Sequence, residues 1–151
     1  MKNKKGFTLI ELLVVIAIIG LLSTLAVVSL NSARVKSRDA KRVADVKQIQ
    51  TALELFYSSR SSYPEADCDL GASGGCVCLD DAGFGSSTCS TAPVYMGLIP
   101  GGPSENEYYH YTGSDTSPQD YTITFTLEGK TGTLPAGNCT ATSAGMTCAA
   151  L

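Results

Sequence analysis

From Phe7 to Leu30 the chain reads FTLIELLVVIAIIGLLSTLAVVSL, 24 residues that are apolar all round and interrupted by one charge, Glu11. At about 1.5 Å per residue, a helix of this length crosses a hydrocarbon core of roughly 30 Å. Beyond Leu30 the pattern changes rather than stops. Val35, Val43, Val46, Ile49, Leu53 and Phe56 recur at spacings of mostly three and four, with Arg34, Lys36, Arg38, Lys41, Arg42 and Lys47 among and opposite them. That periodicity predicts an amphipathic helix with a solvated basic face. No proline precedes Pro64, so one unbroken helix is expected from about Phe7 to about Ser58, stopped at Ser61-Ser62-Tyr63-Pro64. Some 50 residues span about 75 Å. The rest of the chain is too short to cover such a helix, so half of it needs another partner.

After the stop, residues 65–106 are rich in Gly, Ser, Asp and Cys, with Pro93, Pro100 and Pro103, and read as a stapled loop region. EYYHYT (107–112) and DYTITFTLEG (120–129) are dense in Tyr, Thr, Ile and Phe, and the seven residues between them contain Gly113, Asp115 and Pro118. A hairpin is predicted there, with a further short strand at 130–134 or 145–150. The expected fold class is α+β: a long N-terminal helix with a small antiparallel sheet packed on its C-terminal half through Val43, Val46, Ile49, Leu53 and Phe56. Four zones follow: a leader at 1–6, an apolar helix half at 7–30, an amphipathic half at 31–60 and a loop-rich β head at 61–151.

Charge sharpens the division between stem and head. Residues 1–60 hold ten basic residues against four acids, a net +6, whereas residues 61–151 hold Lys130 against ten acids, a net −9. An acidic head argues against nucleic-acid binding, which needs a basic face. All six cysteines (Cys68, Cys76, Cys78, Cys89, Cys139 and Cys148) lie in the head. They point to an oxidising compartment and to disulfides that a head this small needs. Lys2, Lys4 and Lys5 before the apolar run belong on the cytoplasmic side, which sends the head across the membrane.

The basic leader followed by Gly6, Phe7, Thr8, Leu9, Ile10 and Glu11 resembles the N-terminus of type IV pilins and of type II secretion pseudopilins. Two plainer accounts compete with it. One is a cleaved signal peptide with Thr24-Leu25-Ala26 as the cut site; the other is a single-span anchor with an incidental acid. The apolar run is too long for a signal peptide, and the charge six residues after the last lysine does not suit one.

The resemblance implies cleavage after Gly6 by a prepilin peptidase, N-methylation of the new terminus at Phe7, and Glu11 as the family's characteristic glutamate. Physics agrees with the last of these. A carboxylate inside an apolar bundle is costly unless paired, and cleavage creates a cationic amine one turn away. An amine from a subunit displaced by about one turn would meet Glu11 and set the register. Gly20 matches a glycine common in the middle of the pilin membrane segment. Tyr63-Pro64, Leu98-Ile99-Pro100, Tyr108, Tyr109, Tyr111, Tyr121 and Leu127-Glu128 resemble the pseudopilin sheet region. Many pilins carry a proline where this chain has Val28, which removes one aid to helix melting inside a filament.

The implied function is a structural filament subunit, not an enzyme, of a pilus-like or pseudopilus assembly. It is expected to need no cofactor. Its partners would be other copies and related pilins, the prepilin peptidase, cytoplasmic-membrane lipid and an inner-membrane assembly platform. The implied location is the bacterial cytoplasmic membrane, single-pass with the N-terminus cytoplasmic, and then a filament at or beyond the cell surface. The alternative is a membrane-anchored extracytoplasmic binding module.

The remaining features carry less. Four thiols at 68–89 lack the paired CxxC spacing of a zinc site, so disulfides are expected. Cys139–Cys148 is the first choice, with Cys76 and Cys78 each pairing elsewhere. Asp67, Asp69, Asp80 and Asp81 are the nearest approach to a calcium set, yet they precede the sheet and lack loop-ligand spacing. No metal is expected. His110, between tyrosines in a predicted strand, reads as structural or surface. Nothing resembles a nucleophile elbow or a paired-carboxylate site.

Overall fold

The computed structural model describes residues 6, 8–114 and 117–150. Phe7, the leader lysines and Asp115 lie outside the described residues. The chain divides into two compact units, Met1–Val35 and Lys36–Leu151, and α1, Leu9–Arg60, belongs to both. Residues of α1 before Val35 are exposed on every side.

From Lys36 onward α1 buries a stripe formed by Val46, Ile49, Ala52, Leu53 and Phe56, with Val43 partly buried against it. The spacing of three and four places these side chains on one face. The helix ends where Ser61 turns to φ 56° and its amide donates to the Tyr57 carbonyl at 2.7 Å. Such a left-handed residue closes a helix by capturing one of its free carbonyls. The Tyr111 hydroxyl donates to the Pro64 carbonyl at 2.7 Å, which ties the chain to the sheet just after the stop.

Among the described residues eight strands follow: β1 Ala66–Leu70, β2 Cys78–Asp80, β3 Gly83–Gly85, β4 Val94–Met96, β5 Tyr109–Ser114, β6 Ser117–Leu127, β7 Gly137–Thr142 and β8 Gly145–Ala150. They form a five-stranded sheet, order β1-β5-β6-β7-β8, and a three-stranded sheet, order β3-β2-β4. Every strand pairing is antiparallel. Leu70, Tyr109, Tyr111, Ile123, Leu127 and Ala141 face the core with the helix stripe. His110, Thr112, Thr124, Thr126 and Asn138 alternate with them on the outer side.

The strand at 145–150 lies where the sequence places it, and so does the β5–β6 hairpin except at its tip. There β5 runs on to Ser114 and β6 begins at Ser117, so Gly113 and Pro118, expected in the connection, belong to the strands. Residues 130–134 form a turn closed by a single Thr131–Leu134 bridge. Residues 65–106 depart from the expected loop, because β1 to β4 lie within them. β2, β3 and β4 have three residues each, too few to show an alternation. Gly71 marks a close approach in this region. Its φ is +79°, and a Cβ there would sit 2.8 Å from the Gly101 amide nitrogen, so two loops meet where only glycine fits.

Candidate assembly site

Thr8 and Glu11 open α1 with a reciprocal pair of contacts. The Thr8 amide and hydroxyl donate to Glu11 Oε2 at 2.8 and 2.6 Å, and the Glu11 amide donates to Thr8 Oγ1 at 3.3 Å. This is a capping box, which satisfies two free donors of the first turn and puts the carboxylate at the positive end of the helix dipole. Thr8 was not singled out in the sequence, although Thr-Leu-Ile-Glu carries the signal: a hydroxyl residue followed three places later by glutamate. Around Glu11 the side chains are apolar and bare. Leu9 is 80% exposed and Ile10 70%.

Farther along, Ser23 and Thr24 donate their hydroxyls back to the Ile19 and Leu21 carbonyls at 2.7 and 2.8 Å, which suits an apolar solvent. At Gly20 a Cβ would meet nothing within 4 Å, so no contact inside the chain requires a glycine there. The helix is long and apolar enough to cross a membrane, and none of its most apolar stretch is buried. Gly6 lies in open space, and Phe7 is outside the described residues.

The basic run forms the solvated face that the sequence predicts only in part: Arg34, Lys36, Lys41 and Lys47 are exposed, whereas Arg38 is half-buried and Arg42 buried. Arg42 is buried and binds three carboxylates: Asp39 at 2.6 Å, Glu107 at 2.5 Å and Glu128 at 2.7 Å. Arg38 forms a fork with Glu128. Asp39 also accepts the Glu128 and Gly129 amides at 3.0 and 2.8 Å. Asp45 accepts the Tyr109 hydroxyl at 2.8 Å and Lys41 Nζ at 2.9 Å. About two turns of α1, Arg38 to Asp45, thus anchor the end of β6, the loop before β5 and the first residue of β5. Glu107, held chiefly by Arg42, sits below the usual carboxylate range. Glu128, held first by Arg38 and then by Arg42, is pushed down to about 2.

All three disulfides form within the head: Cys68–Cys76, Cys78–Cys89 and Cys139–Cys148. The last pairs directly opposed residues of β7 and β8, and Cys76 and Cys78 each reach a different partner. No thiol is left free to ligate zinc. The four candidate calcium acids do not converge. Asp67 and Asp69 contact His110. Asp80 is buried and accepts the Ala82, Ser90 and Thr91 amides, and Asp81 pairs with Arg60. Among the described residues no group of three or more His, Cys, Asp or Glu is arranged to hold a metal ion.

Residues 1–27 match the family model for the prokaryotic N-terminal methylation motif. The chain is similar to type II secretion system core protein G of Dickeya chrysanthemi, at 35% identity over 71 residues, 47% of this chain and 46% of that one. Core protein G of Escherichia coli K12 matches at 38% over 68 residues, 45% of this chain and 47% of its own length. Type IV major pilin protein PilA of Myxococcus xanthus matches at 33% over 69 residues, 46% of this chain and 31% of its own length. The chain spans about half or less of the length of the curated relatives it matches. No solved structure matches it.

Proposed function

Because its first 27 residues carry the prokaryotic N-terminal methylation motif, we propose that this chain is a structural subunit of a type IV pilus-like or type II secretion pseudopilus filament. A prepilin peptidase cuts after Gly6 and the new terminus at Phe7 is methylated. The subunit waits in the bacterial cytoplasmic membrane with its N-terminus inside and its head outside, then joins other copies and related pilins on an inner-membrane assembly platform.

The observation that carries this reading is the exposed apolar half of α1, with the methylation motif at its start and one acid inside it. Lipid covers such a surface in storage, and neighbouring helices cover it in a filament. Glu11 is capped by its own Thr8, which keeps the carboxylate hydrogen-bonded before assembly. In the filament it receives the methylated amine of a neighbour displaced by about one turn, because an unpaired cation inside the bundle is expensive.

The test is incorporation of Glu11→Leu into filaments sheared from cells, set against its insertion into membranes. Insertion at wild-type level with filament incorporation lowered at least ten-fold supports the reading. Normal incorporation of Glu11→Leu would sink it.

A further inference from the structure

We propose that His110, Asp67 and Asp69 form a proton-operated clasp that holds the edge strand β1 against β5. β1 has β5 as its strand neighbour, with a single Leu70–Cys76 bridge on its other side, and the β1–β5 register sets Asp69 opposite His110 and Asp67 opposite Thr112. Alternation turns Tyr109 and Tyr111 inward and leaves His110 on the outer face with both acids. The imidazole Nδ1 lies 2.9 Å from Asp69 Oδ1, and Nε2 lies 2.8 Å from Asp67 Oδ1.

The chemistry follows from counting hydrogens. A neutral imidazole has one N–H and one lone pair, so it satisfies one carboxylate and turns the lone pair towards the other. Only the imidazolium donates to both. This arrangement stores one proton, and the chain has one histidine.

The surroundings leave the two acids in control. Thr124, opposite His110 on β6, is uncharged, as are Ala72, Ser73, Gly74 and Gly75, which share a surface recess of about 400 Å³ with the three clasp residues. On the other side a recess holds Glu107, Arg42 and Glu128 with His110, and these three charges are already paired with one another. Glu65, just ahead of β1, is exposed and is the next acid along the chain. The hydrogen bond to Asp69 first, and the Asp67 charge after it, hold the imidazole above the ordinary histidine value.

A raised histidine strengthens the fold below its ordinary value, and that contribution is lost as pH rises through the raised midpoint. The clasp is therefore closed below the ordinary histidine value and opens as pH rises through the raised midpoint. What opens is a sheet edge that also carries the loop closed by Cys68–Cys76. Its size is bounded by solvent, since all three side chains are about half exposed or more.

The test uses the full chain in detergent micelles, with NMR titration of His110 and hydrogen exchange at the β1 amides. We expect a His110 midpoint higher than in Asp67→Asn/Asp69→Asn, and lowered by high salt. β1 exchange, corrected for intrinsic rates, should be about two- to five-fold slower below the midpoint than above it. His110→Gln, at an exposed site that leaves the fold intact, should lose that pH dependence. A wild-type midpoint that neither salt nor the double substitution moves would overturn the proposal. So would a pH-dependent change in exchange that persists in His110→Gln.

Discussion

Arg42 is 4% exposed and meets three carboxylates, each from a different stretch of chain. Removing Arg42 leaves the buried Asp39 without its cation, and also unpairs Glu107 and Glu128, which keep some access to water. Arg42→Leu is therefore expected to destabilise the head by about 3–5 kcal/mol in denaturant unfolding of the full chain in detergent. Arg34→Ala, at an exposed site on the same helix, should stay within about 0.5 kcal/mol. Glu128 gives the same network a pH signature. Its carboxyl is lowered from 4.5 to about 2 by Arg38 and Arg42. A lowered carboxyl stabilises fully above its ordinary value, and that contribution is lost as pH falls from about 4.5 towards 2. Acid unfolding should show this limb in the wild type, and Glu128→Gln should flatten it. The sequence shows Arg42 as one cation in a basic run. Its burial was not legible there, because its partners Glu107 and Glu128 lie in distant segments whose placement depends on the whole sheet.

Elements were legible in proportion to their length and regularity. The 52 residues of α1 carry their periodicity many times over and end at a stop the sequence displays, Ser61 to Pro64. β6, with YTITFTL alternating inside and out, is equally plain, and β5 pairs with it. β2, β3 and β4 are different: each is one or two pleats held by a neighbour and by Cys78–Cys89, so tertiary context makes the strand. Cys139–Cys148 was readable as a short loop closure, and it staples the β7–β8 hairpin across directly opposed residues. Replacing both cysteines with alanine should lower stability by about 2–3 kcal/mol, as loops of this size do. Because six residue pairs already fix that register, the sheet's circular dichroism should be retained. Collapse of the sheet in that variant would show that the bridge specifies the fold.

At the scale of the whole molecule, the chain joins two kinds of surface. Up to Val35 lies an apolar helix exposed all round, with Glu11 inside it and Thr8 as its cap. From Lys36 onward a disulfide-stapled head satisfies its own core and most of its buried charges. The motif at Gly6, Phe7 and Glu11 is legible because it is local, and the Thr8 cap beside it carries an equally local signal, a hydroxyl residue three places before a glutamate. A filament subunit needs that N-terminus to be made into an assembly surface. Intact mass and N-terminal sequencing of the mature protein test it most directly. A filament subunit is expected to begin at Phe7 and to carry one added methyl group on its amine. A mature chain beginning at Met1, or one cut near Ala26, would contradict it.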